Sequence, residues 1–164
     1  MIDWDALVQL EGAKLLNYVY KILGDVENSQ DIVQETFMAC FQNIDNLDSN
    51  FILPWLYRTA HNKALNFAKK NKRLVASEIL EVADSTDIEA NLRQERLQLY
   101  IRKCFQQMKP KHALVLELQL YQNKSYKEIS EITGMTIPAV ESILSRARKE
   151  CKNILQGFKD MGVI

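Results

Sequence analysis

Residues 125–151, SYKEISEITGMTIPAVESILSRARKEC, decide how the rest of the chain is read. Ser125 with Glu128 three positions on has the form of a capping box, in which each side chain satisfies the other's backbone N–H. Ile129 and Ile132 give the short helix that follows an inner face, and Gly134 supplies a turn. Thr136 is placed to cap a second helix, and Pro138 is tolerated in its first turn because the N–H it lacks has no partner there. Val140, Leu144, Ala147 and Cys151 then share one face of a longer helix. A capped short helix, a glycine turn and a longer helix make a helix-turn-helix. An αα-hairpin used only for packing would look the same.

Outward from this motif the whole chain of 164 residues reads as helix, with few Gly and Pro and no strict period-two alternation. Asp3 or Asp5 can cap a first helix with Leu7, Leu10, Leu15, Val19, Ile22 and Leu23 inward, stopped by Gly24. Asn28 or Ser29 opens a second helix, to about Ile44, with Ile32, Val33, Phe37, Cys40, Phe41 and Ile44 on the core side. Asp45 to Asn50 is a loop of turn formers. Pro54 suits the first turn of a third helix running to about Arg73. Periodicity then fades from Leu74 to about Glu89, where the polar, acidic stretch Ala83 to Asp87 reads as a linker. Helix resumes from about Ile88 to Met108, with Leu92, Leu97, Ile101, Cys104 and Phe105 inward. Pro110 breaks it, and a further helix runs from Lys111 to Tyr121. The expected fold class is all-α: two small helical domains, residues 1–75 and 91–164, joined by a flexible acidic linker at 76–90.

Lys+Arg and Asp+Glu balance at 21 each, yet the charges are segregated. Acids dominate from Met1 to Phe51. From Ile52 to Val75 there is none, while Arg58, Lys63, Lys69, Lys70, Lys72 and Arg73 accumulate, and acids return from Ala76 to Glu95. Such blocks point to separate partners, one of them polyanionic. No stretch approaches the roughly 20 apolar residues of a membrane helix, and the acidic start does not resemble a secretory signal. The expectation is a cytoplasmic protein without membrane insertion. Cys40, Cys104 and Cys151 form no C-x-x-C pair and have no histidine at zinc-ligand spacing, so all three read as reduced core cysteines, with no metal or cofactor expected. His61 and His112 are the only histidines and neither has a nucleophile motif beside it, so no catalytic residue is expected.

Three helix faces carry chemistry. On the second helix, Asp31, Gln34, Glu35 and Met38 gather opposite the core side, a surface for a protein partner or simply a solvated one. On the third, Leu56, Tyr57, Ala60, Ala64, Phe67 and Ala68 share the apolar side, while Trp55, Arg58, Thr59, Asn62, Lys63, Asn66, Lys69 and Lys70 lie opposite. Cations neutralise phosphates, amides pair with base edges and an indole stacks on an unpaired base. An ordinary lysine-rich surface, with Trp55 folded under a loop, is the bland alternative. On the last helix, Pro138, Glu141, Ser142, Ser145, Arg146 and Lys149 occupy the side a recognition helix turns to the major groove, with Arg148 at its edge. Glu141 repels phosphate but could accept from a cytosine amine.

Taken in order, these segments resemble the extracytoplasmic-function group of sigma factors in the sigma-seventy superfamily. Asp31-Ile32-Val33-Gln34-Glu35-Thr36-Phe37 is similar to the segment that docks on the polymerase clamp, and Pro54 to Asn62 to the helix that melts and reads the minus-ten element. Ser125 to Ile129 and Leu144 to Lys149 are similar to the helix-turn-helix that reads the minus-thirty-five element. The resemblance implies core RNA polymerase and promoter DNA as partners, with an anti-sigma factor as a further candidate. It places Asp31, Gln34, Glu35 and Met38 at the clamp. It places Asn50, Trp55, Arg58, Asn62, Lys63, Asn66, Lys69 and Lys70 along the minus-ten strand, and the loop from Asp48 to Ile52 near a flipped base. It places Thr136, Glu141, Ser142, Ser145, Arg146, Arg148 and Lys149 at the upstream element. Glu141 and Ile143 stand where the family commonly has basic residues. The rival readings are another helix-turn-helix regulator, or a sigma-like protein without promoter specificity of its own.

Overall fold

The computed structural model describes residues 2–75 and 88–162. Among the described residues seven α-helices carry the fold: α1 (Trp4–Leu23), α2 (Val26–Gln42), α3 (Ile52–Val75), α4 (Ile88–Gln107), α5 (Pro110–Leu116), α6 (Tyr126–Thr133) and α7 (Ile137–Asp160). Among the described residues there is no strand. The acidic linker read at Ala83 to Asp87 lies outside them.

Helix ends follow local side-chain chemistry. Asp3 caps α1 by accepting from the Ala6 N–H at 3.0 Å, and Gly24 ends it at φ 71°. The second helix opens earlier than Asn28 or Ser29, because Asp25 accepts from the Asn28 N–H at 2.7 Å and so starts α2 directly after the glycine. Two 3₁₀ turns, Ile44–Asn46 and Ser49–Phe51, occupy the expected loop, and Asp48 accepts from the Asn50 N–H. Beyond α5 the chain widens into a π-helical turn, Glu117–Tyr121, where the sequence suggested an uninterrupted helix.

The first unit packs α1, α2 and α3 against one another; the second packs α5 and α6 on α7, with α4 also lying on α7. The units meet where α4 crosses α1 and where α5 and α6 reach α3. Their buried side chains run together, Leu15, Tyr18, Leu56 and Ala60 continuing into Phe105, Val115, Ile129 and Leu144. Polar contacts cross the same boundary. The Lys21 ammonium meets the Glu117 carboxylate at 3.0 Å, Gln106 Nε2 donates to the Ile22 carbonyl at 2.7 Å, and Gln122 Nε2 to the Tyr57 hydroxyl at 2.9 Å.

Three residues expected inside are outside: Leu10, Phe41 and Leu97 are 65%, 60% and 57% exposed. Helical period alone cannot tell how far a neighbouring helix extends. Phe41 lies one turn beyond Phe37 and stacks on Trp4, their ring centroids 5.4 Å apart.

Candidate polymerase and nucleic-acid interfaces

On α2, Asp31, Gln34, Glu35 and Met38 are all exposed. Beside them Trp4, Val8, Phe37, Met38 and Phe41 line an open apolar cleft of about 390 Å³. The face therefore pairs carboxylates with a greasy slot. The sequence missed the slot because it assigned Phe41 to the core; the aromatic Trp4 near the start of α1 was the available clue.

On α3 the split between apolar and basic sides holds. Leu56, Tyr57, Ala60 and Ala64 are buried, while Arg58, Asn62, Asn66, Lys69 and Lys70 are exposed. Asn50 is exposed in the second 3₁₀ turn. Trp55 takes a middle position, half-buried and resting against the core with part of its indole open. Lys63 is not free: its ammonium lies 3.0 Å from the Glu35 carboxylate, so the faces on α2 and α3 adjoin at an ion pair. Exposed pairs of this kind contribute little to stability, but this one fixes the boundary between the two faces.

Arg58 opens into a cleft of about 510 Å³ between the units, lined also by Pro54, Lys109, Lys111, Thr133 and Met135. Lys109 and Lys111 thus add positive charge beside the α3 face from a distant part of the chain, which no local pattern announces. Phe51 reaches across the same boundary to the helix-turn-helix. A Cβ on Gly134, whose φ is 70°, would come within 2.8 Å of the Phe51 ring, so glycine is needed there for both its backbone and its size.

The helix-turn-helix forms as its caps predict. Ser125 Oγ accepts from the Glu128 N–H at 3.2 Å, and a Glu128 carboxylate oxygen accepts from the Ser125 N–H at 2.7 Å. The latter bond holds the Glu128 carboxyl below its ordinary pKa. Thr136 caps α7 through the Ala139 N–H at 3.3 Å. Glu141, Ser142, Ser145, Arg146, Arg148 and Lys149 are exposed, and Arg148 donates to Gln119 at 2.7 Å. Ile143 is buried, 9% exposed, so its departure from a basic residue serves packing rather than the groove face.

His61 is fully buried. Its Nδ1 lies 2.7 Å from the Tyr18 hydroxyl, and its Nε2 has no hydrogen-bond partner. Burial lowers its pKa to about 4. It belongs to the core of the first unit and lies on none of the three candidate faces.

Comparison with known proteins agrees with this arrangement. Residues 7–74 match the family described as Sigma-70 region 2, and residues 98–151 match Sigma-70, region 4. The RNA polymerase sigma factor YlaC of Bacillus subtilis is 28% identical over 145 residues, covering 85% of this chain and 84% of YlaC. The ECF RNA polymerase sigma factor SigW of the same organism is 28% identical over 170 residues, covering 94% and 91%. Among solved structures, CnrH in complex with the cytosolic domain of CnrY has a similar fold. Its TM-score is 0.54 at 21% identity, and the match covers 94% of this chain and 88% of that one.

Proposed function

The chain belongs to the extracytoplasmic-function group of the sigma-70 family and directs RNA polymerase to promoters, and from that premise we propose how its faces divide the work. Residues 1–75 dock on core polymerase and capture the opened minus-ten region. Residues 76–90 link the units, and residues 91–164 grip the upstream element. One observation carries the reading: an exposed basic-and-amide face on α3 adjoins an exposed acidic face on α2 at the Lys63–Glu35 pair. A strand tracking α3 and a polymerase surface on α2 can then be engaged side by side.

In this division Asp31, Gln34, Glu35 and Met38 meet polymerase, with the Trp4 and Phe41 slot able to take an apolar side chain. Asn50, Trp55, Arg58, Asn62, Lys63, Asn66, Lys69 and Lys70 follow the non-template strand. Thr136, Glu141, Ser142, Ser145, Arg146, Arg148 and Lys149 face the upstream groove. The chain supplies binding energy, capturing bases that leave the stack, while polymerase performs the chemistry; it is not itself an enzyme. It works in the cytoplasm. An anti-sigma factor is a further partner; the similar CnrH was solved in complex with the cytosolic domain of CnrY.

The packing of the two units also bears on promoter binding. Elements centred about 25 base pairs apart lie on the order of 80 Å apart at 3.4 Å per step. Phe51 and Gly134, one from each binding region, touch in the free chain. The units therefore separate when both elements are occupied.

Core binding tests the α2 assignment. Asp31→Lys reverses an exposed charge without touching the Lys63–Glu35 pair, so the fold should survive. Like charges facing each other across an interface cost affinity, and core binding should weaken by roughly tenfold, about 1.4 kcal/mol. Undiminished affinity in a pull-down with core polymerase, from a variant with wild-type circular dichroism, would remove α2 as the docking face.

A further inference from the structure

Cys104 and Cys151 are far apart in sequence but meet between α4 and α7. Tyr100, Cys104 and Phe158 make a small second hydrophobic cluster, set apart from the main core, with Cys151, Ile154 and Leu155 packed against it. Within it Cys151 packs against the cluster that holds Cys104, close enough for each thiol to shift the other's ionisation. Cys104 is 3% exposed. Cys151 is half-buried and opens into a shallow cavity of about 390 Å³. Leu116, Leu120 and Leu155 form the apolar wall of that cavity, and the charged side chains lining it, Arg148, Lys152 and Lys159, are all cationic.

The two sulfurs are not equivalent. The Cys104 thiol is pushed up by its interaction with Cys151 and by burial. The same interaction lowers the Cys151 thiol to about 7, against burial and the neighbouring Glu150 carboxylate, which raise it. A thiolate that reaches solvent beside a second thiol is the arrangement redox-active cysteines share. Cys40 differs on each count: it is fully buried in the first unit, and burial raises its pKa.

We propose that Cys104 and Cys151 are a peroxide-oxidisable pair, Cys151 attacking and Cys104 resolving, whose product is a disulfide joining α4 to α7. The Cys151 thiolate attacks one oxygen of hydrogen peroxide. The O–O bond breaks, Cys151 becomes a sulfenic acid, and the departing hydroxide takes a proton to become water. The Cys104 sulfur then attacks Cys151 Sγ, the S–O bond breaks, and the hydroxyl leaves as a second water with the Cys104 proton. Two thiols are oxidised by two electrons, and one peroxide is reduced to two waters. A dithiol reductant reverses the bond by thiol–disulfide exchange. The cross-link ties the first helix of the second unit to the helix that carries Arg146 and Lys149, and it requires no promoter or polymerase to form.

The test uses the full chain, treated with equimolar hydrogen peroxide, alkylated in denaturant and mapped by mass spectrometry after digestion. The expected result is loss of two free thiols per chain, a Cys104–Cys151 linked peptide pair, alkylated Cys40, and full reversal by dithiothreitol. In Cys104→Ala the sulfenic acid should persist on Cys151 and be trapped by dimedone; in Cys151→Ala both remaining thiols should stay alkylatable. If either variant fails to fold, the wild-type map decides alone. Three alkylatable thiols after treatment, links that include Cys40, or links between separate chains would overturn the proposal.

Discussion

Replacing Lys21 by Met should lower the unfolding free energy at neutral pH by about 3–5 kcal/mol, the cost of leaving one member of a buried ion pair behind. The Lys21 ammonium lies 3.0 and 3.2 Å from the two Glu117 carboxylate oxygens and 4.0 Å from the centre of the Tyr121 ring. The two side chains are 16% and 2% exposed, so solvent screens the pair poorly. Burial raises the Glu117 pKa, and Lys21 and Gln122 pull it back down. Methionine preserves the apolar stem and removes the charge, leaving a buried carboxylate whose strongest opposing influence is gone. The Glu117 pKa should then rise further in the folded state, so the fold binds a proton that the unfolded chain does not. Stability of the variant relative to wild type should therefore recover as pH falls. Urea titrations of both proteins at several pH values measure this. A deficit below about 1 kcal/mol, within the range of an exposed pair, would show that Glu117 reaches water.

A second large effect is expected in acid. His61 is fully buried, and its pKa falls to about 4, against about 6.5 in an unfolded chain. Between these values the unfolded state holds a proton that the fold refuses, so stability falls as pH falls. The contribution is complete above about pH 6.5 and is lost on descending to about pH 4. At 1.36 kcal/mol per unit it amounts to about 3 kcal/mol. The groups around the ring do not offset it. The Tyr18 hydroxyl beside Nδ1 has its own pKa raised by burial, as does Tyr57, and Nε2 has no partner that would welcome a proton. His61→Leu should flatten the acid limb of the stability curve between pH 6.5 and 4. An unchanged limb in that variant would assign the acid sensitivity elsewhere.

These two sites show where sequence reading runs out. Features set by side chains three or four positions apart were legible: the Asp3 cap, the Gly24 stop, the Ser125–Glu128 box and the Thr136 cap all form as their spacing implies. The competition for the start of α2 was decided by Asp25, which follows the stop glycine directly and left Asn28 and Ser29 inside the helix. The apolar side of α3 was legible because Leu56, Tyr57, Ala60 and Ala64 recur at helical spacing and are all buried. Leu10, Phe41 and Leu97 were not, because their exposure depends on where neighbouring helices end. Nothing local pairs Lys21 with Glu117, Lys63 with Glu35 or Cys104 with Cys151, which are brought together only when the helices pack. The faces were therefore readable one helix at a time, and their meeting at Lys63 and the cations that Lys109 and Lys111 add beside Arg58 were not.

The central claim is that the α3 face holds the opened non-template strand, and permanganate footprinting of the promoter bubble with Trp55→Ala tests it most directly. The indole is half-buried against the core, on a helix whose Arg58 and Asn62, one and two turns on, are exposed. Base–aromatic stacking is worth roughly 1–3 kcal/mol by alanine substitution, so bubble reactivity should fall at least about fivefold. Closed-duplex binding should change little, and the thermal midpoint should fall only modestly, by the loss of the covered part of the indole. A large drop in melting temperature, with a normal bubble formed by the molecules that remain folded, would make Trp55 a packing residue beneath the Asp48 to Leu53 loop and contradict the account.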